Sequence, residues 1–194
     1  MSQKKLIPFI NAENEMPGSV ISLAARHACE GADGLYLYNF TGDEKSREEF
    51  LATVRQIEKK IDIPFYVGIY VARFEDAKKA LYTGASMVVM RKALLPVDKE
   101  LQEITDRFSK DKLALEVDMR ADFMTAEQLD EYYELGIGTA VLKHIDTTPS
   151  FSDTIAQTKM RVMVRDGLIR NDLAEILSYD TVSAVLTNYF EDKD

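Results

Sequence analysis

Basic residues stand at the ends of two apolar runs. Arg91 and Lys92 follow SMVVM, and Arg165 follows RVMV. The planar guanidinium group suits phosphate and carboxylate ligands, so these three residues could bind a small anion. The alternative is that they are solvated or form salt bridges with aspartates of the same chain. The aspartates available for this are Asp118, Asp146 and Asp166.

Two carboxylates lie in the run KLALEVDM. Glu116 and Asp118 are two residues apart, and side chains of a strand alternate between its faces, so both should point the same way. A buried carboxylate needs a partner, and Lys143 on the sixth strand is a candidate partner for Glu116. Asp118 could act chemically, or it could cap the next turn and pair with Arg120.

The remaining reactive residue types show no catalytic or metal-binding pattern. His27 and His144 have neither triad nor metal spacing, and Cys29, the single cysteine, is predicted to be an inert, buried thiol. No intrachain disulfide can form. We expect no cofactor. The tyrosines are interpreted as packing residues of the core and its interfaces. They are Tyr36, Tyr38, Tyr66 and Tyr70.

Composition limits the class of partner. The 194 residues are 46% hydrophobic and 29% charged, with a net charge of −9, which is typical of a globular protein. The negative charge argues against a nucleic-acid or anionic-membrane surface. No apolar run approaches the roughly 20 residues of a membrane span, and the start MSQKK is not a signal peptide. Cytoplasm is the expected location.

Short apolar runs alternate with amphipathic stretches along the whole chain. Eight strands are predicted at 5–10, 34–40, 64–71, 85–91, 112–119, 139–145, 161–166 and 182–189. Seven helices are predicted near 18–30, 43–60, 73–83, 97–110, 125–135, 150–158 and 169–179. Thr125 and Gln128 form a capping box before one of these helices.

Nearly continuous apolar strands separated by helices favour a parallel sheet buried on both faces. Eight strands predict a compact (β/α)8 TIM-type barrel, since a flavodoxin-like sheet would use only five. The segment from Val67 aligns without gaps to the segment from Val164. The chain is predicted to be one domain, 1–194. The repeat means either only that any two βαβ units look alike, or that the domain consists of two similar half-barrels near 1–97 and 98–194. The last helix is expected to be missing or truncated.

Three segments carry a resemblance to a known family: EGADGLYLYNFTG, QIEKKIDIPFYVG with FEDAKKALYTGASMVVM, and FSKDKLALEVDMR. With them, the chain resembles the histidine-biosynthesis barrels, namely the cyclase subunit of imidazole glycerol phosphate synthase (HisF) and its isomerase relative (HisA). The resemblance covers essentially the whole length and implies the same barrel fold. Such enzymes are longer, and the difference is expected in the loops after strands one, five and six and in the final helix.

The resemblance also implies where catalysis would occur. The family uses one aspartate after strand one and one after strand five as general acid and base on a substrate with a phosphate at each end. Asp118 keeps the strand-five aspartate, and Asp146 keeps one after strand six. Asn11 and Asn39 replace the aspartates of strands one and two. An amide cannot take up a proton at neutral pH.

The family's phosphate sites rely on glycines that let backbone N–H groups approach the anion. Gly68 is followed here by Ile69 and Tyr70, and Gly167 is preceded by Arg165 and Asp166. Arg91 and Lys92 replace a small polar pair after strand four, and larger residues, Thr187, Asn188 and Tyr189, follow strand eight. The large side chains are expected to fill the space of the phosphates.

Three functions therefore remain open. We favour a catalytically degenerate barrel that serves as a scaffold or as a domain fused to other histidine-biosynthesis enzymes. One such context is the N-terminal part of a protein with phosphoribosyl-AMP cyclohydrolase and phosphoribosyl-ATP pyrophosphatase activities. The alternatives are an active cyclase or isomerase, and a barrel repurposed to bind another small phosphorylated ligand.

Overall fold

The fold is a closed barrel of eight parallel strands in the order β1 to β8. It is seen in a computed structural model, which describes residues 4–145, 149–165 and 173–187. The strands are β1 Lys5–Asn11, β2 Leu35–Asn39, β3 Phe65–Ile69, β4 Met87–Arg91, β5 Leu113–Asp118, β6 Thr139–Lys143, β7 Arg161–Arg165 and β8 Val182–Thr187. All eight predicted strands are confirmed.

Helices connect the strands on the outside of the barrel. The α-helices are α1 Pro17–Cys29, α2 Glu44–Glu58, α3 Phe74–Leu81, α4 Asp98–Arg107, α5 Ala126–Leu135, α6 Pro149–Gln157 and α7 Leu173–Ile176. The part of the chain that is described ends with β8. The closed sheet of eight parallel strands and the helices between them confirm the compact (β/α)8 barrel predicted from the sequence.

Local sequence signals account for several helix starts. The Asp43 carboxylate accepts a hydrogen bond from the Ser46 N–H at the start of α2. The predicted capping box is present at α5, where the Thr125 hydroxyl accepts from the Gln128 N–H and the Gln128 side chain accepts from the Thr125 N–H. Such caps satisfy N–H groups that have no partner within the helix.

Two layers of apolar side chains hold the barrel. The larger layer lies between strands and helices and takes outward-facing residues such as Leu115 and Val117. The smaller layer fills the barrel interior and includes Tyr36, Val89 and Ala114. The alternation of side chains along each strand assigns residues to these layers.

Within the described residues, none of the helices is long and apolar enough to cross a membrane.

Candidate functional site

The carboxyl ends of the strands are centred on one buried carboxylate, Glu116 of β5, which is 1% exposed. Its Oε1 accepts a hydrogen bond from Arg91 Nε at 3.0 Å, and its Oε2 accepts from an Arg165 terminal nitrogen at 2.8 Å. The Tyr36 hydroxyl also donates to Oε2 at 2.8 Å. We call Glu116, Arg91, Arg165 and Tyr36 the Glu116 network. The prediction that Lys143 is the partner of Glu116 is wrong.

Aromatic rings enclose the two guanidinium groups of the network. Arg165, 7% exposed, lies 4.3 Å from the ring centroid of Tyr38 and 4.7 Å from that of Phe9. The Arg91 guanidinium lies 3.8 Å from the centroid of the Phe40 ring. Stacking on aromatic faces suits arginine because its cation is planar and weakly hydrated. Aromatic rings and ion pairs therefore occupy the barrel interior around Glu116.

Burial and neighbouring charges shift the pKa of two residues of the network, Tyr36 and Arg165. Burial and the neighbouring Glu116 carboxylate raise the pKa of Tyr36 well above its ordinary value. The phenol is therefore a neutral donor at physiological pH. Burial, the largest single cause, would lower the pKa of Arg165, but the Glu116 carboxylate together with Tyr36 and Tyr38 outweighs it and raises the pKa. The network thus contains two fixed cations and one carboxylate that accepts from both.

Gly68 of β3 makes room for this packing. A Cβ at this position would lie 2.7 Å from the Tyr36 hydroxyl oxygen and 2.8 Å from Cζ of Phe40. The inward side of Gly68, which a ligand in the barrel would approach, is therefore covered by the aromatic side chains of Tyr36 and Phe40. Ile69, which was expected to fill the space of a phosphate, points the other way, into the layer between strands and helices. Tyr36 and Phe40 are the side chains that fill the barrel interior next to Gly68.

Outside the Glu116 network, Asp118 and His144 form a pair at the outer rim that the sequence did not indicate. Asp118 Oδ1, at the end of β5, is 2.8 Å from Nδ1 of His144, which follows β6. The same oxygen accepts from the backbone N–H groups of Arg120 and Ala121. Burial by itself raises the pKa of Asp118, but the bonds from His144 and the two N–H groups outweigh it and lower the pKa. His144 has φ 53°, a left-handed conformation that histidine adopts more often than most residues.

The two asparagines at strand ends stabilise turns. Asn11 Oδ1 accepts from the Glu13 N–H at 2.9 Å. Asn39, which is buried, accepts from the Thr41 N–H at 3.0 Å and from the Thr41 hydroxyl at 2.7 Å. Hydrogen bonds of this kind to a residue two positions on are typical of Asx turns.

Cys29, at the end of α1, is exposed, so the prediction that its thiol is buried is wrong. The other residues that the sequence singled out are distributed as follows. Lys92 forms an ion pair with Asp122 at the rim, and its pKa is raised chiefly by this hydrogen bond. Asp146, Asp166, Gly167, Asn188 and Tyr189 lie outside the described residues. In the described ranges no group of three or more His, Cys, Asp or Glu side chains could hold a metal ion.

The closed parallel sheet and the helices between its strands define a (β/α)8 barrel, and the Glu116 network lies inside it near the carboxyl ends of the strands. The fold is shared with a mutant tryptophan synthase α-subunit from the hyperthermophile Pyrococcus furiosus, at a TM-score of 0.69 and 15% identity, over 97% of this chain and 89% of that one. The family model described as "Histidine biosynthesis protein" matches residues 9–148. The chain belongs to this family, as the resemblance implied.

The relatives are subunits named for one enzyme. The chain is 33% identical over 129 residues to "Imidazole glycerol phosphate synthase subunit HisF" of Tolumonas auensis, covering 66% of this chain and 49% of the relative. It is 32% identical over 110 residues to the HisF subunit of Acidobacterium capsulatum, covering 57% and 44%. The chain thus spans about half the length of the curated relatives it matches.

Proposed function

We propose that this protein is a histidine-biosynthesis barrel that no longer performs the family's two-carboxylate reaction. In this proposal it serves as a folded partner, or as a fused domain, for other enzymes of the pathway. The observation that supports it best is the position of Glu116 between Arg91 and Arg165. The chain's own carboxylate takes the place between the two cations where a ligand anion would otherwise bind.

The other polar groups at the strand ends are also used internally. Lys92 is paired with Asp122, and Asn11 and Asn39 close turns with their side-chain oxygens. Paired acid/base chemistry needs two groups that exchange protons with the substrate. Asn11 cannot do so, which leaves Asp118 without the opposing acid that the family reaction requires.

Partner and location follow from the family. The relatives are named as subunits of imidazole glycerol phosphate synthase, so association with another histidine-biosynthesis protein is the expected mode of action. Fusion to phosphoribosyl-AMP cyclohydrolase and phosphoribosyl-ATP pyrophosphatase domains is one form of it. The cytoplasm, where such enzymes would meet, is the proposed location.

The experiment is a turnover measurement on the purified chain with the cyclase and isomerase substrates of histidine biosynthesis. The HisF subunit of Tolumonas auensis, assayed under the same conditions, is the positive control. We expect no turnover by the wild type. We also expect none by Asn11→Asp, because restoring one acid leaves the Glu116 network in place. Turnover by the wild type would overturn the proposal, and turnover by Asn11→Asp alone would show that the interior still admits substrate.

A second candidate is a barrel that binds a different small phosphorylated ligand. The observation in its favour is that Arg91 is 28% exposed and, among the described residues, bonds a carboxylate only through Nε, so that its terminal nitrogens are the donors with which it could bind another acceptor. Titration calorimetry with inorganic phosphate, on the wild type and on Arg91→Met, tests it. Binding that Arg91→Met abolishes would favour this candidate, and no heat with either protein would rule it out.

A further inference from the structure

Lys143 is the inward-facing residue at the carboxyl end of β6. It lies opposite Asp118 of β5 and opposite Arg165 of β7 in the strand register, and it is partly buried. Its amine is thus held at the end of the barrel where (β/α)8 enzymes place their reactive groups. It has no part in the two-carboxylate reaction discussed above.

The carboxylates nearest to Lys143 are engaged elsewhere. Both oxygens of Glu116 accept from Arg91, Arg165 and Tyr36. Asp118, the register neighbour, bonds His144. Within the described ranges, Lys143 forms no salt bridge with any carboxylate. Arginine competes better than lysine for a buried carboxylate because its fork is planar and already ordered.

This environment disfavours the charged ammonium form. Burial lowers the pKa of Lys143, and the Arg165 and Arg91 cations lower it further than the Glu116 and Asp118 carboxylates raise it. A lowered pKa increases the unprotonated fraction of a lysine, and the unprotonated amine is the nucleophilic form. The lysines at the surface differ. The pKa of Lys92 and that of Lys159 are raised, in both cases chiefly by a hydrogen bond to an acidic side chain.

We propose that Lys143 is a reactive amine that forms a Schiff base with a small carbonyl compound carrying a carboxylate or phosphate group. The Nζ lone pair adds to the carbonyl carbon, and the carbonyl oxygen leaves as water whose two hydrogens come from the amine. A C=N bond thereby replaces the C=O bond. The terminal nitrogens of Arg91 are donors for the anionic group, and the Asp118–His144 pair at the same rim can exchange protons with the adduct.

The inference goes beyond the proposed function, because it requires neither Asn11 nor turnover of the family's substrates. A failure to form the adduct would leave the partner role untouched. Conversely, turnover of the family's substrates would overturn the proposed function but would not affect the proposal for Lys143, which the labelling experiment tests separately.

The test uses glyoxylate, a small aldehyde with a carboxylate, and sodium cyanoborohydride, which reduces the C=N bond to a stable secondary amine. Peptide mass spectrometry then gives the labelling rate of each lysine at pH 7. We expect Lys143 to be labelled faster than Lys92 or Lys159, because the pKa of Lys143 is lowered and those of Lys92 and Lys159 are raised. Acetaldehyde, which has no anionic group, should lose most of this preference.

Variants separate a specific site from general labelling. Lys143→Arg keeps the charge and removes the nucleophile, and it should abolish the fast labelling, whereas Lys159→Arg, at a surface lysine paired with Glu134, should leave it unchanged. Arg91→Met should slow glyoxylate labelling more than acetaldehyde labelling. Equal labelling of all exposed lysines, or labelling of Lys143 slower than that of Lys159, would overturn the proposal. Because the main readout is on the wild-type protein, a variant that fails to fold does not affect it.

Discussion

Replacing Glu116 by glutamine tests the Glu116 network most directly. The side chain keeps its shape and loses its charge. Glutamine offers one acceptor oxygen and one donor NH₂ group, whereas all three neighbours donate to Glu116. If the amide oxygen faces Arg165 and Tyr36, the NH₂ group must face the donor of Arg91. The substitution therefore leaves at least one donor unsatisfied and two cations without a compensating charge.

The expected loss follows from burial. Removing one partner of a buried, hydrogen-bonded ion pair costs about 3–5 kcal/mol. Arg91 is partly exposed and can recover some hydration, so we expect the lower end, about 3 kcal/mol. A domain of this kind has a free energy of unfolding of about 5–15 kcal/mol. The variant should therefore fold, with a substantial part of its stability removed.

Urea unfolding at pH 7, followed by circular dichroism, measures this loss. With a slope of about 2 kcal/mol per molar urea, a loss of 3 kcal/mol lowers the midpoint by about 1.5 M. Glu134→Gln is the matched control: it removes one partner of an ion pair with Lys159 in which both side chains are more than half exposed, and its midpoint should not change.

A double-mutant cycle tests whether the loss arises from the network. Arg165→Met removes one of the two cations, so Glu116→Gln should cost less in that background, by about 0.5–3 kcal/mol. If Glu116→Gln left the urea midpoint where the wild type has it, the carboxylate would have to be hydrated. The argument that it occupies the barrel interior in place of a ligand would then be refuted.

Three further predictions concern single positions. Gly68→Ala should destabilise by about 1–3 kcal/mol in urea unfolding, since its Cβ would lie 2.7 Å from the Tyr36 hydroxyl; an unchanged midpoint would contradict the close packing. Thr125→Ala should cost about 1 kcal/mol through loss of the capping box of α5, whereas Thr125→Ser should retain most of it. The lowered pKa of Asp118 means that its ionised form stabilises the fold above the unfolded pKa of about 3.9, and that this contribution is lost as pH falls through the folded pKa. Asp118→Asn should therefore lose less stability than the wild type between pH 5 and pH 2, and equal losses would exclude a role for the bond to His144.

Local signals in the sequence were sufficient for the elements of the fold. Apolar runs and alternating side chains located all eight strands, and the Thr125–Gln128 spacing located the start of α5. These signals are local because they depend on the periodicity of one strand or helix. The inward direction of Glu116 also follows from them, since it requires only the alternation within β5.

The choice of partners within the site was not predictable in this way. Lys143 was a reasonable partner for Glu116, yet Arg91 and Arg165 hold it. The preference depends on strand register, on distance across the barrel and on the aromatic rings that accept a guanidinium group. The Asp118–His144 pair was missed because the contact depends on how the ends of β5 and β6 lie beside each other in the sheet. The sequence around His144 alone does not contain this information.

The sequence by itself thus determined the eight-stranded barrel and the family, since each is a matter of residue type and short-range pattern. Tertiary structure alone decided what the polar residues do. Glu116 bonds residues 80, 25 and 49 positions away in the chain, and only barrel closure brings them together. Closure also places Lys143 near the Arg165 and Arg91 cations, and among the described residues it forms no salt bridge with a carboxylate, because Arg91, Arg165 and Tyr36 already satisfy Glu116.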